Sequence, residues 1–282
     1  MSLASHSNAS RFRALHHRAG LLVMPNPWDA GTAKLLADLG FEAIATSSAA
    51  LAWTLARPDA TGAVTRDDAI AHAQALSKAS GLPVNGDFES GYASTPAEVA
   101  ETMRRTIDAG VAGSSIEDKD QGSGGLYPLD EALQRFTAAR EVVAKSGSDF
   151  VLTGRCEAFL AKHHDPLGEA VRRLKAYEAA GADVVYAPGV TTEAEVRAIV
   201  EAVKVPVNVI GGLGGISNDI AALEKLGVKR VSIGSGLAKV AFGAFLKAAE
   251  ALTHRRFAYE GAAASSTLNG AFAATRGGDE DD

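Results

Sequence analysis

The side chains of this chain that can do metal or acid–base chemistry fall in a few short runs, each beside a short apolar stretch. They are Thr46-Ser47-Ser48 and, further on, Asp59; Asp87-Phe88-Glu89-Ser90-Gly91-Tyr92; Glu117-Asp118; Arg155-Cys156-Glu157; and Asn208. Carboxylates crowded into one mouth repel one another unless a cation sits among them. Asp87, Glu89 and Glu117 offer oxygen only, a donor set that suits Mg2+, with Mn2+ as the substitute, rather than zinc. Any one of these acids is equally a helix cap or a partner for a lysine; three at neighbouring strand ends favour a metal. Arg155 carries a planar fork that fits a substrate carboxylate, or else an internal ion pair to Glu117 or Glu157. Ser47, Ser48 and Ala49 can turn backbone N–H groups toward an anion, or simply form a tight turn.

Other motifs carry less. The glycine-rich segments Gly211-Gly212-Leu213-Gly214-Gly215 and Gly234-Ser235-Gly236 stand where many barrels bind phosphate, but glycines after a strand also serve as turn formers, and no lysine is fixed beside them. His163 and His164 are adjacent and point in different directions, which fits a solvated loop. Cys156 has no partner base nearby in the pattern and reads as a packed thiol.

These runs are positioned by a repeated phrase: an amphipathic helix, a glycine, then a short apolar strand, as in DLGFEAIATSS, DAGVAGSSIED, AAGADVVYAPG and KLGVKRVSIGS. The glycines 40, 110, 181 and 227, with weaker copies at 81 and 147, sit where a helix end favours positive φ. Their mean spacing of about 37 residues suits a β/α unit. The pattern predicts strands over 21–24, 42–46, 83–87, 112–116, 150–154, 183–186, 206–209 and 230–233. Helical stripes run between them, as in Val99, Met103 and Ile107, or Leu129, Leu133 and Phe136. Thr95 and Asp165 are expected to cap helices that begin at Pro96 and Pro166. Eight alternating units predict an α/β fold, a single (β/α)8 TIM-type barrel over residues 1–252, with the chemistry at the carboxyl ends of the strands. Phe245, Leu246 and Leu252 are expected in an eighth helix, lying on the barrel or on a neighbouring subunit. Residues 253–282 read as a C-terminal helical or polar tail.

Composition narrows the partners. With 28 Lys+Arg against 34 Asp+Glu and no basic block, the chain is not expected to bind nucleic acid. A single cysteine excludes an internal disulfide framework and fits a cytoplasmic setting. The first twenty residues contain no apolar run and read as an ordinary N-terminal helix, and no stretch approaches the ~20 apolar residues of a membrane span.

The segments NPWDAGTAKLLADLGFEAIATSS, PVNGDFESGY, GVAGSSIEDK, GRCEAF and GADVVYAPG together resemble the isocitrate lyase/phosphoenolpyruvate mutase superfamily over roughly residues 20–252. The resemblance implies Asp87 and Glu89 as Mg2+ ligands, with Glu117 as a further ligand, directly or through water. It implies a 2-oxo acid carboxylate bound by Ser47, Ser48, Ala49 and Arg155, with Asp59 a site aspartate and Asn208 lining the pocket. It also implies a homo-oligomer, a dimer of dimers with helices exchanged between subunits. The chemistry shared by that superfamily is formation or use of a pyruvate-type enolate.

Two departures are visible. Lyases of the superfamily carry K-[KR]-C-G-H in the loop after strand 4, where this chain reads DKDQGSGGLYPLDEA, without a cysteine and with Lys119 displaced toward the strand. After strand 6, Pro188 stands where lyases have a glutamate and mutases a histidine. The expected activity is therefore a Mg2+-dependent cleavage of a C–C bond in a small 2-oxo or 2-hydroxy carboxylate, oxaloacetate-like. The alternatives are P–C chemistry of the phosphonopyruvate hydrolase or phosphoenolpyruvate mutase type, and a non-catalytic 2-oxo acid binding protein.

Overall fold

The computed structural model describes residues 7–273. Eight strands, β1 (Leu22–Met24), β2 (Ile44–Ala45), β3 (Val84–Asp87), β4 (Gly113–Glu117), β5 (Val151–Arg155), β6 (Val184–Tyr186), β7 (Val207–Ile210) and β8 (Arg230–Ser232), alternate with helices. All ladders are parallel, and β8 pairs with β1, so the sheet curls into a nearly closed (β/α)8 barrel. The strand positions match the expected ones to within two residues at either end.

The seam between β1 and β2 has a local cause. The residue after β1 is Pro25, which has no N–H to extend a ladder. Its carbonyl still accepts from Ala45 N–H at 3.0 Å. The Asn26 side chain then crosses the same gap and donates to Thr46 O at 2.7 Å.

Helices α4 (Arg66–Ser80), α5 (Pro96–Asp108), α7 (Pro166–Ala179) and α8 (Glu193–Ala202) begin where short polar side chains satisfy free N–H groups, whereas α6 (Leu129–Ser146) follows Pro128 without a side-chain cap. Thr95 accepts from Glu98 N–H while Glu98 reaches back to Thr95 N–H, and Asp165 accepts from Gly168 N–H. The expected stripes face the barrel: Val99, Met103 and Phe136 are fully buried, and Ile107 packs against them. Strand β5 shows the alternation that results. Leu152 and Gly154 face the helices, and a Cβ on Gly154 would lie 2.6 Å from Cβ of Tyr177 on α7. Arg155 is thereby turned inward.

The N-terminal helix α1 (Asn8–His17) closes the bottom of the barrel. Phe12 is completely buried among Leu22, Met24, Ala43, Ala45, Ala112, Val151 and Val184. Burial of a phenyl ring of this kind is worth about 1.5–3 kcal/mol. At the other end of the chain, α10 (Gly236–Thr253) holds Phe245, Leu246 and Leu252 as expected, but the first two are 67% and 64% exposed. Beyond it, α11 (Ser265–Ala273) lies on α2 (Ala30–Asp38), so the tail includes a docked helix. The terminal GGDEDD run lies outside the described residues.

Candidate active site

The carboxyl ends of the strands surround a polar cavity of ≈ 220 Å³. Ser47, Ser48, Ala49, Asp59, Asp87, Arg155 and Asn208, all expected at a site, line it. Pro188, flagged as a departure, lines it too. Glu89 lies outside this wall and faces a neighbouring cavity of ≈ 500 Å³ shared with Arg66, Tyr92 and Gln121. Glu117 is buried behind Arg155. Of the glycine segments, only Gly234 and Ser235 reach the cavity.

Arg155 is the hub. Its Nε donates to Glu157 Oε1 at 2.6 Å, Nη1 to Asp87 Oδ1 at 3.0 Å, and Nη2 lies 3.3 Å from Glu117 Oε2. The sequence left open a choice between a substrate fork and an internal pair; the guanidinium here is braced by carboxylates on three strand ends. Register explains the convergence, because Glu117, Arg155 and Tyr186 lie directly opposite one another on β4, β5 and β6. The Tyr186 ring centroid is 5.3 Å from the guanidinium carbon, a cation–π contact. Asp87 also accepts from Ser48, through the backbone N–H at 2.9 Å and the hydroxyl at 3.0 Å. The Ser48 amide is thus occupied, while Ser47 caps α3 (Ser48–Thr54) by accepting from Ala50 N–H.

The electrostatics follow from crowding. Burial, reinforced by Asp87 and Asp59, pushes the Glu89 carboxyl up to about 7. Burial also raises Glu117, against the opposing pull of Arg155. Asp59 is raised by burial and by Asp87, although Ala60 N–H works the other way. Among the described residues, no group of three His, Cys, Asp or Glu side chains is arranged to hold a metal ion. The donors available nonetheless suit a hard divalent cation, since all are oxygens and their mutual repulsion is what such a cation relieves.

Several residues at the site were given no role from the sequence, although Asp118 stood in one of the polar runs. Asp118, almost fully buried, accepts from Glu157 N–H at 2.8 Å and from Arg173 at 3.2 Å, tying the end of β4 to the segment after β5. Arg135 on α6 donates to the carbonyls of Ser90, Ala93 and Ser94, clamping the loop that carries Glu89. That loop needs a clamp because Glu89 and Tyr92 have φ of 48° and 47°, a strained region for side-chain-bearing residues. Arg230, only 1% exposed, lines the cavity and meets His16 of α1, the helix at the bottom of the barrel, so it marks the floor; Asn26, Asn85, Ser115 and Ser232 line the same cavity. The alternation of β7 and β8 could have shown that Asn208 and Arg230 face inward, since they stand opposite each other. Nothing in the pattern showed that they meet.

The loop after β4 is a tight hairpin. Lys119 bridges to Leu126, Asp120 N–H donates to Gly125 O, and the Asp120 carboxylate accepts from Gly122 and Ser123 N–H. Cys156 is buried and its thiol is pushed well up by burial and by Asp118, in keeping with a packed role. His163 and His164, expected to point in different directions, instead bring their rings together in the loop before α7, with centroids 4.2 Å apart and planes tilted by 41°.

An eight-stranded parallel barrel with carboxylates and an arginine converging at its strand ends places a polar cavity on the carboxyl face, where (β/α)8 enzymes carry their sites. Comparison with known proteins gives the family. The model of the phosphoenolpyruvate phosphomutase family matches residues 12–253, and the chain belongs to that family, within the superfamily it shares with isocitrate lyases. It is similar to oxaloacetate decarboxylase of Paraburkholderia xenovorans strain LB400, with 32% identity over 83% of this chain and 78% of that protein. It is also similar to 2-methylisocitrate lyase of Escherichia coli K12, with 30% identity over 73% and 70%. Among solved structures, a candidate lyase/mutase from Burkholderia cenocepacia J2315 is 44% identical, with a TM-score of 0.89 over 95% of this chain and 96% of that one. The chain is accordingly an enzyme of the carbon–carbon lyase and mutase type. No helix among the described residues is long and apolar enough to cross a membrane.

Proposed function

We propose that this enzyme cleaves a C–C bond in a small 2-oxo or 2-hydroxy carboxylate of oxaloacetate-like structure, in a Mg2+-dependent reaction that passes through a pyruvate-type enolate. The observation that carries this reading is that Asp87 and Arg155, 3.0 Å apart, line one small polar cavity with Asp59, with Glu117 buried behind Arg155 at 3.3 Å. The names of the relatives support it, since an oxaloacetate decarboxylase and a 2-methylisocitrate lyase both break such bonds. Asp87, the carboxylate among the three that lines the cavity, would hold Mg2+ or Mn2+, with Glu89 and Glu117 as the further oxygen donors that the resemblance implies; the ion when bound supplies a Lewis acid for the 2-oxo group.

The chain's own residues then have separable tasks. Arg155, fixed by Glu157 and stacked on Tyr186, presents a cation to the oxygen on which negative charge develops. Asp59 lines the cavity, and burial and Asp87 raise its carboxyl, which suits it to carry a proton in the reaction. Ser47, Ser48 and Ala49 form the wall that faces the substrate carboxylate.

The test is titration calorimetry with oxalate, a mimic of the enolate, in Mg2+ and then in EDTA. Oxalate is expected to bind only with Mg2+, and Asp87→Asn to lose that binding by more than about 100-fold, or about 2.7 kcal/mol. Equal binding with and without the metal would refute the metal assignment. Turnover of phosphonopyruvate in preference to oxaloacetate would replace this reading with P–C chemistry. Tight binding of 2-oxo acids without turnover under any divalent metal would leave a binding protein.

We further assign a cytoplasmic location and a homo-oligomer, a dimer of dimers joined through α10. The support is the apolar face of that helix, where Val240, Phe245 and Leu246 are exposed and Phe242 meets Trp53 edge-on at 6.5 Å. Helix exchange between subunits would cover it. Light scattering is expected to give a multiple of the 29.0 kDa chain mass that Phe245→Glu reduces; a monomeric unaltered protein would refute the assembly.

A further inference from the structure

Among the described residues, Arg230 is a cation without a counter-ion. Its Nε donates to Asn208 Oδ1 at 2.9 Å, Nη2 to Thr153 Oγ1 at 3.1 Å, and Nη1 meets His16 Nε2 at 3.2 Å. The first two partners are neutral by nature. His16 is neutral by tautomer: arginine can only donate, so Nε2 accepts and Nδ1 donates to Phe12 O at 2.7 Å. No carboxylate among the described residues forms an ion pair with Arg230, and its side chain is 1% exposed. The guanidinium also has more N–H donors than these acceptors use.

A buried charge is normally paired, because desolvation costs several kcal/mol. The other buried arginines of this barrel obey that rule through acids or carbonyls: Arg173 meets Asp118, and Arg135 holds a row of loop carbonyls. Arg230 differs, and it lines the cavity. A second group lining the same cavity, on β3, is also unsatisfied. Asn85 is 4% exposed, and its buried Oδ1 has no hydrogen-bond partner. An amide in this state can turn either end toward a ligand.

We propose that Arg230, with Asn85, forms a floor subsite that binds a second carboxylate of the substrate and so makes the enzyme select dicarboxylates over monocarboxylates. This rests on the reading of the cavity as a 2-oxo or 2-hydroxy acid site and deepens it. The substrate's reacting end lies against Arg155 and the strand-end carboxylates, and its far carboxylate reaches down to Arg230. Asn208 and Thr153 accept hydrogen bonds from the guanidinium and fix its plane toward the cavity, and His16 holds it from below. An anion arriving there compensates the charge that the folded chain leaves open.

Lactate and malate test this, because they share the 2-hydroxy carboxylate end and differ in the second carboxylate. With Mg2+ present, calorimetry on the unaltered protein is expected to show malate binding at least about tenfold tighter than lactate. In Arg230→Gln that advantage disappears while lactate affinity stays the same. Malate preference surviving in Arg230→Gln, or both ligands weakening by one factor, would overturn the subsite. Equal affinities in the unaltered protein would overturn it without any variant, so the test does not depend on the variant's folding. If oxalate binds and neither hydroxy acid does, the floor assignment fails and the 2-oxo acid pocket stands. If oxalate fails as well, the reading of the pocket itself falls.

Discussion

At the mouth of the cavity Arg155 meets Asp87, Glu117 and Glu157, while at the floor Arg230 meets only Asn208, Thr153 and a neutral His16. Both arginines are inward-facing strand residues of one barrel, yet their environments place opposite demands on a ligand. The mouth has surplus negative charge, visible in the raised carboxyls of Glu89 and Glu117, and calls for a cation. The floor has surplus positive charge, visible in the Arg230 guanidinium, which burial lowers to about 9, and calls for an anion. A divalent ion at one end and a carboxylate at the other would balance both, which makes the cavity polar along its length rather than uniformly charged.

The largest expected effect that would break this contrast is a paired substitution. Arg155→Met strands three carboxylates, and loss of one partner of a buried ion pair costs about 3–5 kcal/mol. Arg230→Met removes hydrogen bonds but also an uncompensated charge, so a net loss of about 1–2 kcal/mol or less is expected. Urea unfolding of the two variants at pH 7 measures the difference, and equal losses would show that Arg230 is compensated after all.

A smaller effect sharpens the description of the floor. Burial and the nearby Arg230 lower the His16 pKa from 6.5 to about 3, so the folded state excludes a proton that the unfolded chain accepts. The stabilisation from neutral His16 is therefore complete above pH 6.5 and is lost as pH falls toward about 3. In the range between, the slope is about 1.4 kcal/mol per pH unit. His16→Gln keeps a donor and an acceptor but does not titrate, so its stability is expected to fall less steeply on acidification. Parallel stability profiles for the two proteins between pH 6.5 and 4.5 would contradict a neutral His16.

How much was legible in advance depended on how far apart the interacting residues lie in sequence. Thr95-Pro96 and Asp165-Pro166 act within a few residues, and both helix starts stand where the local signals put them. The polar strand ends were equally readable, because a barrel of this kind carries its site there. Which acid meets which cation was not. Asp87 and Arg155 are 68 positions apart, and Arg230 and His16 are 214 apart. Their encounter depends on strand register, which no single strand encodes. The loop after β4 shows the same limit in another way: its missing cysteine was plain, but its closure by Asp120 emerged only from the turn geometry.

The order of elements, the number of strands, the inward placement of the chemically active residues and the family likeness belong to the sequence by itself, because periodicity, caps and turn glycines act locally. The tertiary structure alone decided that Glu89 faces a neighbouring cavity, that Arg155 is held by three acids and that Arg230 is held by none. Those outcomes depend on burial and on long-range pairing, and the strength of a charge inside a protein is set by what folding places beside it.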